Sequence, residues 1–253
     1  ACIPPEQLAF VGLSRWMMQE AQASGLLQSF AVHHIPNALD LERWQKTETQ
    51  EAARQQLGLP ADAFLILFVA NNPSNLRKGW DLLADALARL GPGRPVAAVV
   101  LGHLGEAGRA SLSLPCYTMG HLTEVAALKQ VYTACDAFVM SSRQDNLPNT
   151  LAEAMAMELP AVAVQVGGVS DLLPDACHAW PVQPGDGAEG LATQLTALMQ
   201  QPDEARKRAA HGRAHLEDMM APERVVPQYA ALYQRMLQTQ HADASSPALA
   251  GPA

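Results

Sequence analysis

Ala137-Phe138-Val139-Met140, then Asp145-Asn146-Leu147-Pro148-Asn149-Thr150-Leu151-Ala152-Glu153-Ala154-Met155-Ala156, then Pro160-Ala161-Val162-Ala163-Val164: this stretch decides the fold. Two short apolar runs bracket a segment of helical character. Apolar runs of this length, bounded by turn residues, read as buried strands. Pro148 suits the first turn of a helix, where the amide it lacks would have no partner. Strand, turn, helix, strand is the repeating unit of a parallel sheet. A carboxylate stands at each end of the turn and helix, Asp145 before it and Glu153 one turn in. That layout suits a polyhydroxylated, negatively charged ligand.

The alternation continues in both directions. Residues 64–70, 96–101, 136–141 and 161–166 read as strands, and 80–90, 124–134 and 149–157 as helices. Leu82, Leu83, Ala86, Leu87 and Leu90 make one apolar face at helical period. The expectation is an α/β fold, a parallel sheet covered by helices on both faces, with ligands outside the carboxyl ends of the strands. From Asp186 onward the pattern turns helical, over 188–200, 203–218 and 222–238, with Pro202 and Pro222 marking starts. Upstream, 8–14 is strand-like and ends at Ser14, a candidate cap for a helix over 15–24. Residues 242–253, rich in Ala, Ser and Pro, read as a disordered tail.

Composition narrows the function. Of 253 residues, 49% are apolar, enough for a sizeable core, and only 5% are aromatic. With a net charge of -8 and no basic run, nucleic acid is a poor partner. Cys2, Cys116, Cys135 and Cys177 are scattered, which fits reduced thiols and a cytoplasmic setting. No apolar run approaches the ~20 residues of a membrane span. There is no signal peptide and no initiating Met, so sequence is expected upstream of Ala1.

Three constellations carry candidate chemistry. The first is the opening stretch. With Pro148 in the first turn, the amides of Asn149, Thr150 and Leu151 lie at a helix N-terminus and favour a phosphate. Glu153 can accept from vicinal hydroxyls such as those of a ribose, and Asp145 from a second set. The same residues also read as a helix cap and a solvated helix carboxylate. The second is Asn71-Asn72-Pro73-Ser74-Asn75-Leu76-Arg77-Lys78-Gly79-Trp80-Asp81, a loop between strand and helix. Its adjacent cations suit a diphosphate, and equally an ordinary surface. The third is Gly167-Gly168 after a strand, where backbone can approach a ligand closely. His211 and His215 share a metal-compatible spacing but lack a third ligand, so surface histidines and no metal are expected. A glycosidase pair would have to flank a scissile bond, whereas Asp145 and Glu153 share one turn and helix.

These segments resemble the family-4 glycosyltransferases (group 1, GT-B fold). That family's pattern places an acid, seven residues and a Glu in a context like E-x-F-P-x-x-x-x-E-A-M-A-x-G-x-P. Here Asp145, Leu147-Pro148, Glu153-Ala154-Met155-Ala156 and Leu159-Pro160 correspond. The D-N-L-P-N-T form is similar to one found among bacterial exopolysaccharide and capsule transferases. Lys78-Gly79-Trp80-Asp81-Leu82-Leu83 matches K-G-x-D-x-L, Gly167-Gly168 matches the family's G-G-x-x-(E/D), and Ile35-Pro36-Asn37-Ala38-Leu39-Asp40 resembles I-P-N-G-x-D. Met119-Gly120-His121-Leu122 resembles the segment beside the nucleobase. The resemblance implies a sugar contact for Asp145, shorter by one methylene than the usual Glu, and a ribose contact for Glu153. It implies stabilisation of the leaving diphosphate by Arg77, Lys78 and the amides near Thr150, with Leu147, Leu151, Gly167, Gly168, His121 and Leu122 lining the donor site. An Arg that the family carries early in the loop is replaced near Asn71-Asn72-Pro73. The family's Gly at the end of the helix is Glu158 here, which predicts a strained, positive-φ C-cap.

The resemblance further implies a Rossmann-like second domain of a GT-B enzyme. Residues 1–40 would end an N-terminal acceptor domain and linker, 41–220 would bind the donor, 221–240 would form a crossover helix, and 241–253 a tail. An upstream acceptor domain would then be the missing partner of the apolar stripe Val225, Val226, Tyr229, Leu232, Tyr233 and Leu237. The activity implied is retaining, metal-independent transfer from a nucleotide diphosphate sugar to a glycan or lipid-linked acceptor. No cofactor is implied beyond that co-substrate, and such acceptors are compatible with peripheral association at the inner face of a membrane. An isolated nucleotide-sugar-binding module and a 2-epimerase of the same fold are the alternatives.

Overall fold

A computed structural model describes residues 4–70, 75–91, 93–175 and 178–245. In chain order its elements are β1 (Ala9–Gly12), α1 (Arg15–Ala23), β2 (Ala31–His34), α2 (Gln50–Leu57), β3 (Phe64–Val69), α3 (Trp80–Ala88), β4 (Val96–Leu101), α4 (Glu106–Ala110), β5 (Cys116–Gly120), α5 (Val125–Ala134), β6 (Ala137–Met140), α6 (Asn149–Ala156), β7 (Ala161–Val164), α7 (Val169–Leu172), β8 (Trp180–Val182), α8 (Gly187–Gln200), α9 (Pro202–Met220) and α10 (Pro222–Ser245). They form two units, Ala1–Leu39 with Met219–Ala253, and Asp40–Asp218.

The larger unit is built on a six-stranded sheet in the order β5-β4-β3-β6-β7-β8. Every ladder is parallel. The chain steps outward from β3 to β5, then returns to lay β6 on the other side of β3. That reversal is a topological switch point, where open α/β sheets leave a crevice at the strands' carboxyl ends. Successive side chains on a strand face opposite sides. Phe64, Ile66 and Phe68 therefore join Val100, Val139, Val162, Leu83 and Leu191 in one core. On the other side Phe138 meets the ring of Tyr132 from α5. Burial of both faces explains why the strands read as continuous apolar runs.

Five elements escaped the sequence reading, each for a physical reason. β5 is an edge strand whose residues are all half-buried, so it has no continuous apolar run. β8 is only Trp180-Pro181-Val182, with a proline that an edge strand tolerates. α2 buries only Ala53 and Arg54 and so has no apolar stripe, although Thr49 caps its start and Gly58 closes it with φ +65°. α4 and α7 are five and four residues long.

In the smaller unit β1 and β2 pair in parallel, Phe10 opposite Val32. The Ser14 hydroxyl accepts from the Met17 amide at 3.1 Å and caps α1. α10 lays Val225 and Leu232 against Ile35, with Ala9, Val11, Tyr229 and Met236 around them. The stripe on this helix is therefore partly covered within the chain, while Val226, Tyr233 and Leu237 remain exposed. α10 also continues past the expected end at residue 238, reaching Ser245. The rest of the expected tail, residues 246–253, lies outside the described residues.

Glu158 has φ +48°, the one positive-φ residue other than glycine among those described. It ends α6 as the sequence predicted, with the Leu159 amide reaching back to the Ala154 carbonyl at 2.9 Å.

Candidate functional site

Because the strands are parallel, the loops after β3, β4, β5, β6 and β7 share one edge of the sheet. The loops after β3 and β6 flank the switch point and are laced together. Residues 71–74 lie outside the described residues, so the Asn71-Asn72-Pro73 segment is not described. From Asn75 the chain makes one tight turn, Leu76–Lys78, started by the Asn75 side chain accepting from the Arg77 amide at 3.0 Å. Gly79 ends it with φ +69°, and a Cβ there would sit 1.9 Å from the Ser141 carbonyl oxygen. Only glycine fits at that position. The Ser141 hydroxyl donates to the Gly79 carbonyl at 2.8 Å. The Arg143 guanidinium grips both Asp81 carboxylate oxygens, at 2.8 and 2.6 Å, and the Leu76 carbonyl at 2.7 Å. Its amide donates to the Arg77 carbonyl. The Arg143 contact holds the Asp81 carboxyl below the usual carboxylate range. Sequence reading missed Ser141 and Arg143 because their partners lie more than sixty residues away.

This lacing aims Lys78. Its ammonium meets Asp145 Oδ2 at 2.7 Å. The other Asp145 oxygen accepts from the Asn146 amide at 3.1 Å, and the Asp145 carbonyl accepts from the Gly168 amide at 3.2 Å. Gly167 has φ +54°, a conformation that glycine supplies without strain. Lys78, Asp145 and Gly167-Gly168, remote in sequence, thus form one group. Asp145 does not cap α6: the cap position is Pro148, with no side-chain cap bond. Arg77 is exposed, and its guanidinium makes no hydrogen bond among the described residues.

Glu153 is half-buried rather than solvated. Its Oε2 accepts from the Tyr132 hydroxyl at 2.8 Å. Burial pushes its carboxyl up, and the Tyr132 hydrogen bond opposes that in part. The other members of the opening stretch divide. Asn149 is exposed and Thr150 half-buried at the start of α6. Leu147 and Leu151 are buried, so they shape the turn from within. The Leu151 amide, expected to be open, donates to the Pro148 carbonyl at 3.1 Å. His121 and Leu122 follow Gly120 at the end of β5, on the same edge but two strands from β3. No hydrogen bond among the described residues joins them to the Lys78–Asp145 group.

A cavity of about 510 Å³ lies at the opposite, amino edge, where Lys46, Cys135, Asp136, Glu158 and Pro160 line it. The chemistry the sequence points to is not there. Cys135 is buried, which pushes its thiol up and makes it inert, and Cys116 is half-buried; Cys2 and Cys177 lie outside the described residues. His215 is half-buried rather than on the surface, its ring 4.9 Å from that of His178. Among the described residues no group of three His, Cys, Asp or Glu is placed to hold a metal ion. Nor is any helix long and apolar enough to cross a membrane.

The sequence profile of the glycosyl transferases group 1 matches residues 63–201, the sheet with its carboxyl-edge loops. The chain belongs to the group 1 glycosyl transferases. A D-inositol 3-phosphate glycosyltransferase of Xylanimonas cellulosilytica is 30% identical over 202 residues, 72% of this chain and 46% of that protein. The chain spans about half the length of the first curated relatives it matches. A glycosyltransferase from Rickettsia africae superposes with a TM-score of 0.81 at 16% identity, over 92% of this chain and 64% of that one. Anabaena HepE, solved with UDP and glucose, superposes at 0.74 with 20% identity, over 88% of this chain and 62% of that one. These neighbours share the α/β Rossmann-like fold expected from the sequence.

Proposed function

We propose that this chain supplies the donor site of a retaining glycosyltransferase, which moves a sugar from a nucleotide diphosphate sugar to a glycan or lipid-linked acceptor. The observation that carries the reading is the group at the switch point. A lysine, an aspartate and a glycine pair converge there, with a second carboxylate in the adjoining helix. A nucleotide diphosphate sugar presents matching chemistry: two phosphates, ribose hydroxyls and sugar hydroxyls. In this reading Lys78 and Arg77 take the diphosphate with the Asn149 and Thr150 amides. Glu153 accepts from the ribose hydroxyls and Asp145 from the sugar.

Departure of the nucleoside diphosphate concentrates negative charge on the leaving oxygens. Fixed cations and a helix N-terminus stabilise that charge without reorganising, which lowers the barrier. No resident metal or other cofactor is assigned. Lys78 would exchange Asp145 for phosphate on binding, freeing Asp145 for the sugar. The UDP and glucose held by Anabaena HepE support this ligand class.

The test is thermal-shift and calorimetric titration with UDP-, GDP- and ADP-glucose. One of them should raise the melting temperature of the chain, and Glu153→Ala should remove the response. A response unchanged in Glu153→Ala would sink the ribose assignment.

A further inference from the structure

Tyr132 has no part in the reading above, yet it is placed to control Glu153. It lies in the last turn of α5, fully buried. Its ring stands edge-on to Trp44, centroids 5.8 Å apart, and tilts against Phe138 at 6.4 Å. A phenylalanine would fill the same space, so packing alone does not require the hydroxyl. A buried phenol needs a polar partner. Here that partner is Glu153 Oε2 at 2.8 Å, with the Thr150 carbonyl 3.3 Å away. The hydroxyl therefore meets the carboxylate and the first turn of its helix together.

We infer that Tyr132 is a positioning residue for nucleotide recognition: its hydroxyl holds Glu153 Oε2 and leaves Oε1 for the ribose hydroxyls of a nucleoside diphosphate. This rests on the reading of Glu153 as the ribose-binding carboxylate. A free glutamate side chain loses considerable rotamer entropy when a ligand orders it, and a carboxylate fixed beforehand avoids that loss. The contact also bears on charge. Burial favours the neutral form of Glu153, which cannot accept from two hydroxyls as a carboxylate does, and the phenol opposes that. Among the described residues Tyr132 is the titratable group that acts on Glu153. Burial first, and then Glu153 and Cys135, keep the proton of Tyr132 in place.

The experiment is calorimetric titration of the chain with UDP, GDP and ADP in a pH series that runs from neutral down into the acid range, where a carboxyl gains its proton. Tyr132→Phe should weaken the preferred nucleotide about three- to tenfold at neutral pH, the loss of one charge-assisted hydrogen bond. It should also move the acid limb of affinity to higher pH, because the carboxyl has lost the bond that kept it ionised. Glu153→Gln, which cannot ionise, should bind weakly and keep only the acid limb set by the nucleotide's own terminal phosphate. In the Glu153→Ala background, Tyr132→Phe should change nothing further. An unmoved acid limb in Tyr132→Phe, or additive losses in the double variant, would overturn the positioning role while leaving the ribose assignment intact. Parental affinity in Glu153→Ala, or an acid limb in Glu153→Gln identical to the parent's, would instead overturn the ribose assignment and the inference with it.

Discussion

Two ion pairs of almost equal length sit at opposite edges of one sheet. At the amino edge Arg54 meets Asp136 at 2.6 Å; at the carboxyl edge Lys78 meets Asp145 at 2.7 Å. Their surroundings differ. Arg54 also donates to the carbonyls of Ala134, Ala61 and Ala63, and Asp136 Oδ2 also accepts from the Leu65 amide. Arg54 is buried and the pair is saturated with hydrogen bonds, and it ties α2 to the starts of β3 and β6. Lys78 is more open, with a flexible stem and donors to spare. The same charges at the same distance thus make a clamp in one place and, in the proposed reading, a binding site in the other. Spare hydrogen-bonding capacity tells them apart.

The sharpest break is Arg54→Met. It strands the part-buried Asp136 carboxylate and several carbonyls and should cost about 3–5 kcal/mol of stability. Equilibrium urea unfolding reads this, while nucleotide affinity of the folded fraction should hold. A midpoint like the parent's would show that the amino-edge pair is no clamp.

Lys78→Ala should do the reverse. Nucleoside diphosphate affinity should fall roughly 10- to 100-fold, as expected for a charge-assisted contact. Stability should change by less than ~1 kcal/mol, since the pair is partly exposed. A variant that is destabilised but binds normally would make the two pairs alike.

Glu158→Gly probes the amino edge without touching either pair. The positive φ costs a side-chain-bearing residue about 1 kcal/mol, and the nearest Arg213 nitrogen, 4.0 Å from the carboxylate, offers only weak compensation. A gain of about that size in urea is expected. A loss would mean that Glu158 contributes contacts beyond its backbone strain.

The smallest effect is Glu153→Gln. Burial raises this carboxyl in the folded chain above its ordinary 4.5. Between the two values the native state holds more proton than the unfolded one, so stability falls as pH rises through that window. Glutamine does not titrate. It should therefore stabilise at neutral pH, within about 1 kcal/mol, and the gain should vanish below about pH 4.5. A gain that persists in acid would point to packing instead of charge.

The parts legible in the sequence were those governed by local physics. Buried parallel strands need continuous apolar runs, so β3, β4, β6 and β7 were plain. Ser14 was legible as a cap, and Glu158 as a residue where glycine belongs. The helical register of α6 placed Glu153 relative to Asp145. Edge strands β5 and β8 and the polar helix α2 were not legible, because partial burial leaves no pattern and Arg54 shows its partners only once the chain has folded.

Tertiary structure decided which polar groups meet. Sixty-six residues separate Lys78 from Asp145 in the chain, and only the return of β6 to the side of β3 brings them together. The same return brings Arg143 to Asp81, and the packing of α5 against β6 sets Tyr132 beside Glu153. A sequence displays periodicity and turn chemistry because these act over a few residues. Hydrogen bonds between loops depend on crossover topology, and no local pattern encodes it.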